Sequence, residues 1–201
     1  MRSAVRVLGT VAVVIFVAWL AVAQPSCRGN RASEATDDPA RLREHVETLS
    51  QRLYPRDFRH GDNLDRCAEY VAQQFRQAGG AVEFQPFTVG NRQYRNVIGS
   101  FNAGKGSRVV VGAHYDACGE TPGADDNASG VAALIELAGL LGRMSPTCAV
   151  DLVAYVLEEP PFFRTEHMGS AIHARSLTRK KAMYKGVICY GTAVVVVPEK
   201  Q

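Results

Sequence analysis

The side chains most able to do chemistry are His114 and Asp116, which stand where a short apolar run ends. The run at 109–111 consists of valine alone and predicts a buried strand, and residues two apart on a strand project to the same side. Asp125 and Asp126 follow a loop and precede a predicted helix. We therefore expect an imidazole and several carboxylates to meet at the carboxyl end of a strand, the edge at which open α/β sheets bind ligands.

A second acidic group follows another predicted strand. The run at 151–157 is mostly apolar and leads into Glu158 and Glu159, with two prolines after them. Taken alone, such a pair is typical of a charged strand end, just as a single His-x-Asp is typical of a solvated surface. Two strands of one sheet that both end in such groups would instead crowd negative charge unless a cation lies among them. Divalent metals take these ligands, so the sequence predicts a metal site.

Three motifs at these separations carry a resemblance to a known family. They are H-Y-D at 114–116, P-G-A-D-D-N-A-S-G at 122–130 and L-E-E-P at 157–160. Together they resemble the dinuclear zinc exopeptidases, which include secreted aminopeptidases and glutamate carboxypeptidases. The resemblance extends from about Leu42 to Tyr190. It implies a zinc-dependent exopeptidase, and among these an aminopeptidase that hydrolyses the N-terminal bond of a peptide substrate.

The resemblance also implies a role for each site residue. His114 would bind the first zinc ion, Glu159 would bind the second, and Asp125 would bridge both. Glu158 would be the general base that takes a proton from the attacking water. Asp116 would hold the other ring nitrogen of His114, which fixes the tautomer of that ligand and raises its basicity.

The family pattern is not met in full by this sequence. A two-zinc peptidase of this type holds each metal by three protein groups, one of them shared, whereas the residues assigned here supply two to each metal. Asp126, beside the expected bridge, is assigned no ligand role. Gly191 stands where the family has a carboxylate after the last predicted strand, and no histidine occurs from there to Gln201. We therefore expect a domain that is truncated at its carboxyl end, holds zinc weakly and hydrolyses aminopeptidase substrates poorly.

Two other functions stay open. The same fold could serve as a catalytically dead binding domain, as in the transferrin-receptor ectodomain, or as an acyltransferase that resembles glutaminyl cyclase and uses one zinc ion. The number of bound zinc ions separates the three possibilities, since we expect two for a peptidase, one for a cyclase and none for a dead domain. Neither the side-chain preference of a peptidase nor the oligomeric state is predicted.

Alternating helical and extended patterns predict the elements that would position these groups. Their order along the chain predicts an α/β fold: a three-layer sandwich with a mixed, mostly parallel central sheet, helices on both faces and an incomplete carboxyl end. The predicted helices are 40–53, 63–78, 129–144 and 166–179, and the predicted strands are 81–89, 94–101, 108–113, 151–157 and 185–190.

The amino-terminal segment predicts export. Arginines precede an uncharged, mostly apolar stretch within residues 1–23 that ends in Ala-Val-Ala, the pattern of a secretory signal. The length of this stretch also suits an uncleaved membrane anchor, and Cys27 leaves a lipidated form as a further alternative. Residues 24–39 are polar and predict a linker, and 40–201 predict the exopeptidase-like domain. We expect an extracytoplasmic protein that contacts the membrane only through its amino-terminal segment.

Composition and spacing limit the possible partners and the roles of the cysteine and histidine residues. The chain has 201 residues, a formal net charge of +3 and a pI near 8.6, and no basic run is interleaved with aromatic residues, so no nucleic-acid partner is expected. Its cysteines form no C-x-x-C pair. Cys67 falls on a helical apolar stripe and is predicted to be core, whereas Cys118 is predicted to be a bystander near the site. His167 and His173 do not share a helix face, and we expect them to be solvated or capping residues.

Overall fold

The structure, a computed structural model, describes residues 38–103, 108–144, 146, 148–179 and 184–189. Two segments among them, Thr48–Arg52 and Ala124–Ser129, are π-helical turns. The described helices are α1 (Pro39–Glu47), α2 (Gly61–Gln77), α3 (Gly130–Arg143) and α4 (Gly169–Arg179), and the described strands are β1 (Ala81–Val89), β2 (Arg92–Phe101), β3 (Arg108–His114), β4 (Ala149–Tyr155) and β5 (Tyr184–Cys189).

One sheet contains all the described strands, in the order β1-β2-β4-β3-β5. β1 and β2 form an antiparallel hairpin, and β2 is also antiparallel to β4. β3 is parallel to β4 on one side and to β5 on the other. The predicted α/β class and mixed sheet are confirmed, with parallel pairing on both sides of β3. His114 at the end of β3 pairs with Tyr155 at the end of β4, which brings the segments that follow both strands to the same edge.

Helices cover both faces of the sheet, as predicted. α2 and α3 pack on one face, where Phe75 of α2 lies against Gly99 of β2. A Cβ at Gly99 would lie 2.6 Å from the Phe75 ring, so glycine at this position permits the close approach of helix and strand. Complete burial of a phenylalanine side chain contributes roughly 1.5–3 kcal/mol. α4 covers the opposite face, where Leu177 packs against a small cluster that includes Ile98 and Tyr155.

The first helix ends earlier than predicted. The pattern at 40–53 predicts one continuous helix, but α1 gives way to the wider π-helical turn Thr48–Arg52. Asp38 caps α1 by accepting a hydrogen bond from a backbone N–H, and a proline follows it at the first helical position. The π-helical turn leaves Leu49 fully buried and presents its carbonyl oxygen to Arg56, whose guanidinium donates to it at 2.9 Å.

The other predicted elements that fall within the described residues are confirmed, with ends displaced by a turn or less. The described residues belong to one compact unit. The predicted leader at 1–23, nearly all of the linker at 24–39 and Gly191 lie outside them, so export and membrane anchoring stay predictions. In the part of the chain that the structure describes, none of the helices has the length and apolar character needed to cross a bilayer.

Candidate metal centre

β3 and β4 deliver two chain segments to one edge of the sheet. Beyond the paired ends of these parallel strands, the Tyr115 N–H still donates to the Tyr155 carbonyl oxygen at 2.9 Å. His114 therefore lies at the same edge as the segment after β4, which contains Glu158 and Glu159. This is the edge at which the sequence predicts a metal site.

Three side chains at this edge could hold a metal ion together: His114, Asp126 and Glu159. One ligating atom from each lies within 4.8 Å of the others, and His114 Nε2 is 3.0 Å from Asp126 Oδ1. His114 is buried, Glu159 is half-buried and Asp126 is exposed, so the group lies at the surface of the edge and solvent reaches it. One imidazole nitrogen and two carboxylate oxygens at this spacing fit a catalytic zinc ion, which keeps a further position for water or substrate.

Of the two adjacent aspartates, the structure places Asp126 against His114. Asp125, which was expected to bridge the metals, is exposed and lies outside the group, whereas Asp126 was expected to have no ligand role. The cause is the backbone of the π-helical turn, where Asp126 has φ −111° and ψ 93° instead of helical values. Neighbouring side chains on such an extended backbone point in opposite directions, so only one of the two can face His114.

Asp116 joins the two segments of the edge. The carboxylate is 2% exposed, and its Oδ2 accepts a hydrogen bond from the Glu159 N–H at 3.1 Å. Its Oδ1 is buried without a hydrogen bond and lies 3.6 Å from His114 Nδ1. The Asp116 carbonyl oxygen is the closer partner of His114 Nδ1, at 3.2 Å. The backbone and the carboxylate of Asp116 thus both lie behind the imidazole, an arrangement that directs His114 Nε2 toward Asp126 and Glu159.

Several ionisable side chains lie close together at this edge of the sheet and shift one another's pKa values. Burial lowers the pKa of His114, but the nearby negative charges of Asp116, Asp126 and Glu159 outweigh burial and raise that pKa to about 9. Burial also raises the pKa of the Glu159 carboxyl, and the charges of both aspartates add to this rise. A divalent cation among these carboxylates would relieve their mutual repulsion. The electrostatics therefore agree with the donor set in fitting a metal ion.

Glu158 is adjacent to Glu159 in the chain but has different partners. Ser170, at the start of α4, donates from its backbone N–H to Glu158 Oε1 at 2.7 Å and from its hydroxyl to Oε2 at 2.8 Å. Burial raises the pKa of Glu158 to about 7, although the hydrogen bonds from Ser170 act in the opposite direction. Both carboxylate oxygens are thus held in place while Glu158 remains outside the three-residue ligand group.

Residues 96–188, which contain the whole of this edge, match the sequence profile of peptidase family M28. This stretch, slightly less than half of the chain, is similar to peptidase family M28. The resemblance to the zinc exopeptidases is thereby confirmed. The protein YfbL of Escherichia coli is 44% identical over 149 residues, which cover 70% of this chain and 46% of YfbL. Aminopeptidase YwaD of Bacillus subtilis is 27% identical over 111 residues, which cover 54% of this chain and 24% of YwaD. The chain thus spans less than half the length of either relative.

Solved structures of zinc exopeptidases and glutaminyl cyclases share the fold of this chain. A Zn-dependent exopeptidase from Parabacteroides distasonis has a TM-score of 0.65 at 24% identity, covering 76% of this chain and 60% of that one. A glutaminyl cyclase from Fimbriiglobus ruber has a TM-score of 0.69 at 22% identity, covering 82% of this chain and 64% of that one. Both likenesses concern the architecture and do not distinguish the two activities.

Two residues that donate hydrogen bonds to the segments of this edge were not predicted from the sequence. Ser170 was not connected with Glu158, and the fully buried Arg56 was not singled out. The only signals were a serine in the first turn of a predicted helix and an arginine after a proline. Neither signal indicates which residue the side chain contacts, because the contacted residues lie on other elements of the fold.

The prediction that Cys67 lies in the core is confirmed, but one histidine prediction is wrong. Cys67 is buried in the core, and burial raises the pKa of its thiol to about 12, while Cys118 is exposed. His167 is exposed, as expected. His173 was expected to be solvated or to cap its helix, yet it is 3% exposed and its Nδ1 lies 3.0 Å from the Tyr155 hydroxyl. The reason is that α4 packs on the sheet and turns this side chain inward.

Proposed function

We propose that the chain carries the metal-binding part of a zinc-dependent, aminopeptidase-type hydrolase that acts on peptides. The observation that carries this proposal is the convergence of His114, Asp126 and Glu159 beside a separately held carboxylate, Glu158. The similarity to family M28 and the likeness to an aminopeptidase support it.

The residues that would hold zinc in this proposal are His114, Asp126 and Glu159, and Asp126 would take the ligand role expected of Asp125. Asp116 orients His114 from behind. Zinc, when bound, would polarise the scissile carbonyl group and make a water molecule more acidic. The ligand group is open to solvent on the Asp126 side, from which the amino end of a peptide would approach.

Glu158 is the proposed general base. It would take a proton from the attacking water and deliver that proton to the amine that leaves when the peptide bond breaks. The hydrogen bonds from Ser170 keep its carboxylate in one orientation, so the base needs no rearrangement to accept the proton. Glu158 and Glu159 thereby have separate tasks, the first in proton transfer and the second in metal binding.

Zinc binding by the purified chain tests this proposal. We expect the wild-type chain to bind zinc and Glu159→Gln to lose it, because the variant replaces a ligand oxygen with a neutral amide. Zinc content by elemental analysis and affinity by chelator competition give both results, and hydrolysis of aminoacyl anilides gives the activity. A wild-type chain that binds no zinc would contradict the proposal and favour a binding domain.

Glutaminyl cyclase remains the second candidate because the described donor atoms form a single group, which one zinc ion would satisfy. The same elemental analysis separates the two candidates. Two zinc ions per chain and hydrolysis of aminoacyl anilides support the peptidase. One zinc ion and cyclisation of an N-terminal glutamine without anilide hydrolysis support the cyclase.

A further inference from the structure

We propose that Arg56 is a positioning residue of the metal centre, whose buried guanidinium holds the loop from β3 to the Asp126 turn in the shape that brings the ligands together. The inference rests on the proposed zinc site. It concerns a residue that lies outside the matched stretch 96–188 and far from the motifs along the chain.

The contacts of Arg56 tie the loop at both of its ends. Its Nε donates to the Tyr115 carbonyl oxygen at 2.9 Å, and its Nη2 donates to the Gly123 carbonyl oxygen at 2.6 Å. Its Nη1 donates to the carbonyl oxygens of Pro122 and Leu49. The backbone of Arg56 makes a further contact with the loop, because its carbonyl oxygen accepts a hydrogen bond from the Ala117 N–H at 3.1 Å.

The tied carbonyl groups stand next to the proposed ligands in the chain. Tyr115 separates His114 from Asp116, and Gly123 begins the turn that carries Asp126. A single side chain therefore fixes the distance between the first ligand and the segment that supplies the second. A shift of this loop would move His114 and Asp126 relative to each other.

Gly123 shows how closely the loop is fitted to the guanidinium. Its φ is +56°, in the left-handed region that favours glycine. A Cβ at this position would lie 2.8 Å from Arg56 Nη2 and 2.6 Å from the Asp126 carbonyl oxygen. The glycine thus permits both the turn and the contact with Arg56, and a side chain there would push the Asp126 turn away.

The chemistry of the guanidinium explains why arginine is needed. Arg56 is 0% exposed, and its partners in these bonds are all neutral carbonyl oxygens. A buried cation is costly to desolvate unless its N–H groups are bonded, so the charge is tolerated only when the loop keeps this shape. The planar fork of arginine reaches several carbonyl groups at once, whereas lysine offers one compact ammonium group.

The test compares Arg56→Lys with a control at Arg59. Arg59 lies on the same segment, but its side chain is 53% exposed and pairs with Asp57. We expect Arg56→Lys to lower zinc affinity in chelator competition by roughly 10- to 100-fold, the usual cost of losing a group that orients ligands. We also expect a changed visible spectrum when Co²⁺ replaces zinc, because the ligand geometry changes. Arg59→Lys should leave both unchanged.

The outcomes separate this inference from the proposed function. If wild type and Arg56→Lys bind zinc equally and share one Co²⁺ spectrum, Arg56 is only a structural residue and the inference is wrong, even if the variant melts earlier. If wild type binds no zinc, the proposed function fails and the inference fails with it. Should Arg56→Lys not fold, Gly123→Ala provides the second variant, and unchanged zinc affinity in that variant overturns the inference.

Discussion

The ends of β3 and β4 meet at one edge of the sheet but are held in different ways. After β3, carbonyl groups of the backbone accept hydrogen bonds from the buried guanidinium of Arg56. After β4, the side chain of Glu158 accepts two hydrogen bonds from Ser170 at the start of α4. The first arrangement fixes the course of a chain segment that carries proposed ligands, and the second fixes one proposed catalytic group. Substitutions that weaken the first arrangement should therefore lower metal affinity, and substitutions that weaken the second should lower turnover.

The largest expected effect is on turnover in Glu158→Gln. Removing a general base typically costs about 100- to 10,000-fold in rate, and the amide cannot take a proton from water. We expect this loss in zinc-dependent hydrolysis of aminoacyl anilides by the chain. Zinc content should stay at the wild-type level. Near-normal turnover in the variant would show that Glu158 is not the base.

A smaller effect on turnover is expected for Ser170→Ala. The variant keeps the backbone hydrogen bond to Glu158 but loses the one from the hydroxyl. A hydrogen bond to a charged group is worth about 1.5–3 kcal/mol, so we expect turnover to fall by roughly 10- to 100-fold. Ser170→Thr keeps the hydroxyl and serves as the matched control. A fall in zinc affinity rather than in turnover would contradict the division between the two strand ends.

The smallest expected effect is on stability, at Asn96 of β2. Its buried side chain donates to the Gly169 carbonyl oxygen and accepts from the Val156 N–H, which fastens the start of α4 to the segment after β4. Asn96→Ala leaves these groups without partners, at a cost of about 1–3 kcal/mol in the free energy of unfolding. Urea denaturation measures this loss. His167→Ala, an exposed control in the segment that leads into α4, should stay within about 0.5 kcal/mol of wild type.

Most of the fold was predictable from the sequence because local patterns determine most of its elements. The spacing of apolar residues along the sequence reflects which face of each strand or helix is buried. The predicted strands and helices are accordingly found, with small shifts at their ends. The early end of α1 was not predictable, because a π-helical turn leaves the spacing of apolar residues nearly unchanged.

The site was predictable in its residue types but not in its details. The motifs identify the edge, yet the choice between Asp125 and Asp126 depends on backbone angles inside the turn. Arg56 is 59 residues from Tyr115 in sequence, and Ser170 is 12 residues from Glu158. His173 turns inward only because α4 packs on the sheet. Contacts of this kind arise from tertiary packing, which a single sequence does not reveal.

Zinc affinity of Asp126→Asn and Asp125→Asn tests the proposed metal centre most directly. The two variants make the same chemical change on adjacent residues, and both side chains are exposed, so neither should disturb the core. We expect Asp126→Asn to lose at least about 100-fold in zinc affinity by chelator competition, and Asp125→Asn to stay close to wild type. Loss of zinc in Asp125→Asn together with retention in Asp126→Asn would contradict the arrangement of His114, Asp126 and Glu159 described here.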